Sequence, residues 1–458
     1  MLTDNVIEFM NYKNALKGNY RKGVHTMRCI LENPAQAADF AASVGAVSVV
    51  FGAPVDKPDR NSDELLELVL NSSVCDKATL TFLSQFYPEN AESYDTMMNS
   101  AERCAEIFAT PILWRPVGRS NCLTAKLIVT MAGLNCVDYG DLAAVVSSSV
   151  AMTAVAASQT AMAAVAASST AMTAVAASQT AMTAVAASPT AMAAIWQSST
   201  AVQVVQNNAT AWSTFTGASS SVIGKTVAIL SGLDPNSYAD MTAVAASQTA
   251  MAAVAASSTA MAAVAASSTA MAAVIANSTA LNAVVSSSTA MAAVAASSTA
   301  MAAVIASSTA LNAVVSSSTA MAAVAASSTA MTAVAASSRA MQAVAMAWNT
   351  TESAITGSTV AMNALKNSGK CQTVSKDVSG AKSVSFITGL CFVFTAEITV
   401  SGGTCYIEAS RPTGGTTLSL CSSKTAATVN KFCKDPYVKC TNSSHSYASN
   451  KLYFYKIS

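Results

Sequence analysis

Charge is what this sequence lacks most. Of 458 residues only 11% are Asp, Glu, Lys or Arg, against about 25% in an ordinary soluble domain. The deficit is local, since no charged residue occurs from Leu142 to Gly224 or from Met241 to Ser338. A net charge of +1 gives no electrostatic reason for binding nucleic acid or an anionic membrane surface. Histidine is scarce as well: His25 and His445 are the only two, and neither has a second His or a Cys pair at ligand spacing. None of the eleven cysteines forms a CxxC pair, which removes the common zinc arrangements. The chain has no P-loop, GxGxxG, GxSxG or HExxH. Neither a cofactor, a metal nor a catalytic residue is therefore expected.

A mean hydropathy of +0.41 raises the question of a membrane span. Such a span needs about 20 mostly apolar residues with basic and aromatic flanks. Nearly every window of that size in the uncharged tract holds Ser and Thr clusters instead, so no membrane insertion is expected. The N-terminus, MLTDNVIEFMNYKNALKGNYRKG, lacks an apolar run behind a basic start, so no secretory signal is expected either.

Repetition fills the uncharged tract. Residues 141–368 repeat the ten-residue sentence S-x-T-A-M-x-A-V-x-x about twenty times. Alanine and methionine favour helix, and no period-two alternation argues for strand. The recurrent Ala, Met, Val, Ser and Thr positions fall on one broad side of a helical wheel, whereas the variable ones fall mostly on the other. Ser is the break. It becomes Asn at Asn208 and Asn277, and Ser188 precedes Pro189, as an N-cap precedes the first helical residue.

Phase points the same way. Ten residues at about 100° each leave the apolar stripe roughly 80° behind per copy. Either several chains supercoil tightly, or two-turn helices restart at each Ser and stack. Short stacked helices are the preferred expectation, with a supercoiled trimer as the alternative. Burying one Met and one Val cannot offset the ordering of ten residues, so each copy needs neighbours. The pattern is interrupted near 217–240, read as an inserted loop or joint, and again near 348–357.

The ends differ in character. Residues 1–140 read as a mainly α domain, with helices following Ser62 and Ser100 and with Val47–Phe51 as strand or buried helix. Residues 370–458 read as a small antiparallel β-sandwich or barrel. Strands are expected over Phe392–Val400, Cys405–Ser410 (the return strand after the turn Ser401–Gly403), Thr416–Cys421 and Lys451–Ile457. The six cysteines of this segment suit either a disulfide framework or buried thiols, and thiols are preferred. Glu397 and Glu408, on what could be adjacent strands, are considered as paired carboxylates for glycan hydrolysis, but solvent-facing strand positions explain them better. The fold expected for the whole chain is multidomain and elongated.

The tandem copies, such as Ser257–Ala266, the missing secretory signal and the β-patterned last 90 or so residues together resemble bacteriophage tail fibres and related virion appendages. The resemblance implies a structural virion protein, made in the host cytoplasm and released by lysis. It implies attachment to tail or baseplate proteins through residues 1–140, a shaft over 141–368, and a tip at 370–458. The tip would meet a host surface receptor, either a glycan or an outer-surface protein, and the chain would form a homotrimer. No motif carries over residue by residue. Arg411, Tyr437, Lys439 and His445 are the receptor-binding candidates, chosen as polar or aromatic residues in expected loops. A glycan-degrading tail spike with its site in 370–458 is the first alternative. A bacterial surface adhesin or scaffold is the second.

Overall fold

The computed structural model describes residues 20–52, 60–400, 404–422, 425–441 and 448–458, with 4, 6, 7, 9 and 10 near the N-terminus. It is mostly helical and ends in a β-sheet. Two compact units are present, Met1–Val222 and Ile223–Ser458, and their boundary falls within the helix Ser220–Leu230.

Each decapeptide is a separate two-turn helix, as the Ser breaks predict. Ser288–Ala296, Ser298–Ala306 and Ser308–Ser316 are typical. The Ser before each helix leaves the helical region, as at Ser287 with φ −98° and ψ 121°, and its side chain accepts the N–H three residues on. Successive helices meet at 96° to 106° across these breaks. Three such bends nearly complete a turn, so within each of the two runs of repeats a helix lies on the one three copies later, from Leu142–Ser147 to Ala209–Thr216 and from Met241–Ala246 to Thr359–Lys366. This geometry selects the buried positions. In the copy beginning at Ser288, Ala290, Met291, Val294 and Ala295 are buried, while Ala292 and Ala296 are exposed. Spacings of one, four and five residues put the buried set on one side of the helix. Alanine there lets neighbouring backbones approach closely.

The break Ser has a second function that its cap role does not reveal. Its hydroxyl donates to a backbone carbonyl of the layer below: Ser178 to Val146 at 2.7 Å, Ser287 to Ala255 at 2.6 Å, Ser317 to Val285 at 2.8 Å. Those carbonyls belong to last-turn residues that have no intrahelical donor, so one hydroxyl caps the start of one helix and the end of another. Asn208 does the same, with Oδ1 accepting from Ala211 N and Nδ2 donating to Ala176 O. Where the lower residue is isoleucine, at Ile275 and Ile305, Ser307 and Ser337 keep the cap bond alone.

The interruption at 217–240 is not an arbitrary insert. It repeats residues 120–141 at an offset of 99 positions, pairing Lys126, Gly133, Tyr139 and Asp141 with Lys225, Gly232, Tyr238 and Asp240. The structures agree element by element. A helix, Asn121–Met131 or Ser220–Leu230, ends at a left-handed glycine, with φ +79° at Gly133 and +70° at Gly232. A 3-10 turn follows, and then an Asp-capped helix, Leu142–Ser147 or Met241–Ala246. In both, the second break Ser onward reaches back 27 residues, Ser158 to Met131 O and Ser257 to Leu230 O. A run of repeats is thus begun twice by the same module.

In the first unit the helical wrap precedes the repeats. Tyr20–Glu32 packs on Arg60–Leu70, and Pro34–Ala42 on Cys75–Leu83. Val44–Phe51 is a helix, and the helix expected after Ser62 begins at Arg60. Ser100 caps Ala101–Ala109 as expected. Among the described residues no single helix is long and apolar enough to cross a membrane.

The second unit ends in β1 (Cys371–Val378), β2 (Ser383–Ser385), β3 (Leu390–Val400), β4 (Cys405–Ser410), β5 (Thr417–Ser422), β6 (Ala426–Cys440) and β7 (Ala448–Lys456). They form one antiparallel sheet in the order β1-β7-β3-β6-β4-β5, with β2 also paired to β6. A sandwich of two sheets is therefore corrected to a single sheet. Likewise β4 does not return along β3, because the fifteen-residue β6 lies between them. The inner face carries Val393, Ile398, Ile407, Val438 and Phe454. The expectation of free thiols fails for one pair: Cys405 and Cys440 are opposite in register and disulfide-bonded.

Candidate functional site: the outer face of the terminal sheet

Side chains directly opposite in an antiparallel ladder share a face, and residues two apart share it again. On that rule the outer face of the sheet divides into a covered half and an open half. Phe392, Phe394, Phe432 and Tyr455 make up much of the covered half and are buried. This half lies against the last helices. Tyr455 Oη donates to Ala335 O at 2.6 Å, and the Lys366 and Lys370 ammonium groups sit over the Phe394 and Tyr455 rings at 5.7 and 5.8 Å.

An ionic anchor holds the same seam. Glu352, in the helix Trp348–Thr356, accepts from Arg411 Nη1 at 2.6 Å, Lys431 Nζ at 2.9 Å and Phe432 N at 2.9 Å. The Arg411 guanidinium also stacks 4.0 Å from the Trp348 ring centre. The loosened copy near 348–357 is where the helices receive the sheet.

The open half presents two rows across β2, β6, β4 and β5. One row is Ser383, Lys439, Tyr406 and Ser422; the other is Ser385, Tyr437, Glu408 and Ser419. Their inward neighbours Val438 and Ile407 belong to the core and Val384 packs against it, which fixes the outward direction of both rows. Tyr437 Oη donates to Glu408 Oε2 at 2.8 Å. That bond, with partial burial, raises the Tyr437 phenol above its ordinary range. Two half-exposed tyrosines, one exposed lysine, one carboxylate and four serine hydroxyls thus share a single face. Such a surface can stack on apolar ring faces and hydrogen-bond to hydroxyl or amide groups.

Of the residues singled out by sequence, Tyr437 and Lys439 are on this face, in β6 rather than in a loop. Arg411 is held in the Glu352 anchor with its side chain 12% exposed. His445 lies outside the described residues, as do Ser401, Gly402 and Gly403 of the expected turn. Glu408 is on this face at the solvent-facing strand position expected for it, whereas Tyr406 is a member that sequence reasoning missed, although the alternation of Cys405–Ser410 could have placed it outward. Glu397 and Glu408 are not on adjacent strands, since β6 separates β3 from β4. Among the described residues no group of three or more His, Cys, Asp or Glu side chains could hold a metal ion. No protein-family model and no curated protein sequence matches this chain, so a reading of its function rests on these residues and their geometry.

Proposed function

We propose that this chain is a structural host-recognition protein, a virion fibre or related appendage, and that it acts without catalysis. The stacked helices serve as a spacer built from one repeated unit, and the terminal sheet presents the recognition face. The observation that carries the reading is the division of the sheet's outer face. One half is fastened to the last helices through Glu352 and Tyr455, and the other is left open with Tyr406, Tyr437, Lys439 and Glu408. Such an arrangement orients a binding surface on a rigid base.

The partner at that face is a host surface receptor, a glycan or an outer-surface protein, and the N-terminal part attaches to tail or baseplate proteins. The homotrimer of such appendages would be held through surfaces other than the Met and Val columns, because these are covered within one chain. The glycan-degrading reading would need a carboxylate pair other than Glu397 and Glu408.

The test is binding of the full chain to host cells, beside a Tyr406→Ala, Lys439→Ala variant and a chain ending at residue 369. Loss of binding by about tenfold or more in the double variant, and entirely in the truncated chain, is expected. A truncated chain that still binds refutes the placement of recognition on the sheet. Shortening of host polysaccharide by the intact chain refutes the non-catalytic reading.

A further inference from the structure

Two cysteine pairs oppose each other along β6. Cys440 is bonded to Cys405 of β4. Seven residues earlier, Cys433 is the register partner of Cys391 in β3. Their sulfurs lie 3.4 Å apart and both residues are fully buried in the inner core. Cβ atoms of directly opposed residues sit about 4.5–5.5 Å apart, and a disulfide needs about 3.5–4.5 Å. Closure therefore needs a small strand adjustment and no change of register. The remaining buried cysteine of this sheet, Cys421, donates to Thr425 O at 3.1 Å and is not opposed to either sulfur in the register.

We propose that Cys391 and Cys433 are a second cross-strand disulfide site, closed when the chain meets an oxidising small-molecule disulfide. The hydrogen bond between the two thiols, with burial, holds Cys391 well above the ordinary thiol range, so in the closed sheet its thiol stays protonated and unreactive, and both sulfurs are shut off from the reagent by burial. Reaction belongs to moments when β3 and β6 part. One thiol then loses its proton and attacks a sulfur of glutathione disulfide. The glutathione S–S bond breaks, a mixed disulfide forms, and one glutathione leaves as thiolate. The second cysteine displaces the other glutathione in the same way. The protein loses two electrons and two protons, and the reagent becomes two glutathione thiols.

Tyr437 and Lys439 lie between Cys433 and Cys440 on β6. With both bonds closed, this stretch is tied to β3 at one end and to β4 at the other. That consequence for recognition rests on the function proposed above, whereas the cross-link itself does not.

The experiment uses the full chain, in one portion incubated natively with glutathione disulfide and in another refolded from urea in the same reagent. Each portion is unfolded with an alkylating agent and digested. A peptide joining Cys391 to Cys433, lost on treatment with dithiothreitol, is expected in the refolded portion and more slowly in the native one. If the Cys405–Cys440 peptide is recovered while Cys391 and Cys433 are alkylated separately in both portions, the proposal is overturned. Host binding that is unchanged by a mapped cross-link would remove only the recognition consequence.

Discussion

Arg411 and Glu352 form an ion pair with side chains only 12% and 10% exposed, linking the start of the β4–β5 connection to a helix 59 residues earlier. Sequence reading had offered Arg411 as a surface contact. The carboxylate, Lys431, the Phe432 amide and the Trp348 ring together satisfy what would otherwise be a costly buried charge. Glu352→Gln leaves the guanidinium without its counter-charge, and loss of about 3–5 kcal/mol is expected. Replacing both partners by methionine should cost less than either single change. Urea unfolding of Glu352→Gln, Arg411→Met and the double methionine variant checks this, and equal or greater loss in the double variant contradicts it.

The double role of the break Ser permits an internal comparison. Ser297 accepts from Ala300 N at 3.2 Å and donates to Ala265 O at 2.5 Å. Ser307 makes the same cap bond to Ala310 N but no bond to the layer below. Ser307→Ala should cost about 1 kcal/mol, as a lost cap does. Ser297→Ala should cost about 1 kcal/mol more, since it also strands a carbonyl. Matched denaturant titrations of the two variants measure the difference, and equal losses would mean that the interlayer bond adds nothing.

Much of the helical part was legible because ten does not divide evenly into helical turns. A continuous helix would have wound the Met and Val stripe off any single face, and Pro189 after Ser188 showed where the chain resets. The three-copy stacking was less legible, because it depends on a bend angle that Ser sets only through its backbone dihedrals. The interruption at 217–240 reads as an inserted loop or joint in the sequence although Lys225, Gly232, Tyr238 and Asp240 echo Lys126, Gly133, Tyr139 and Asp141. The echo lies outside the decapeptide period. In the sheet, β3, β4, β5 and β7 were readable as strands, although β4 was placed beside β3. β6 was not. Asn430 and Asp435 adopt φ of +47° and +52°, and Pro436 supplies no ladder donor, so the alternation breaks where the longest strand runs. With β6 missing, the face that it centres could not be assembled: Tyr406 went unnoticed, and Glu408, read as a solvent-facing strand position, was not joined to Tyr437.

Proline tolerance follows from the cap geometry. Ser288 is the first helical residue after a break Ser, the place that Pro189 already occupies in its own copy. Ser288→Pro should change stability by less than about 0.5 kcal/mol. Ala292→Pro, four residues further into the same helix and equally remote from the core, should cost about 3 kcal/mol or more by removing a helical hydrogen bond and clashing with the preceding turn. Thermal melts followed by helical circular dichroism separate the two. A large loss at Ser288 would mean that the helices do not restart there.

Tyr455 connects sheet docking to pH. Its ring is fully buried, and its hydroxyl donates to Ala335 O at 2.6 Å. Burial, and then the neighbouring Cys371, pushes the phenol up to about 12, above an unfolded value of about 10. Because the folded form holds its proton more tightly, the contribution is fully present below about pH 10 and is lost as pH rises toward about 12, amounting to roughly 2–3 kcal/mol. Tyr455→Phe should lower stability at about pH 8 by about 1–2 kcal/mol, since the Ala335 carbonyl loses its donor. It should also flatten the decline above pH 10 relative to the parent chain. Comparing the two proteins cancels the titration of the other tyrosines. Parallel alkaline declines in urea titrations would show that the Tyr455 proton is not what ties this half of the sheet to the helix Ser328–Ala336.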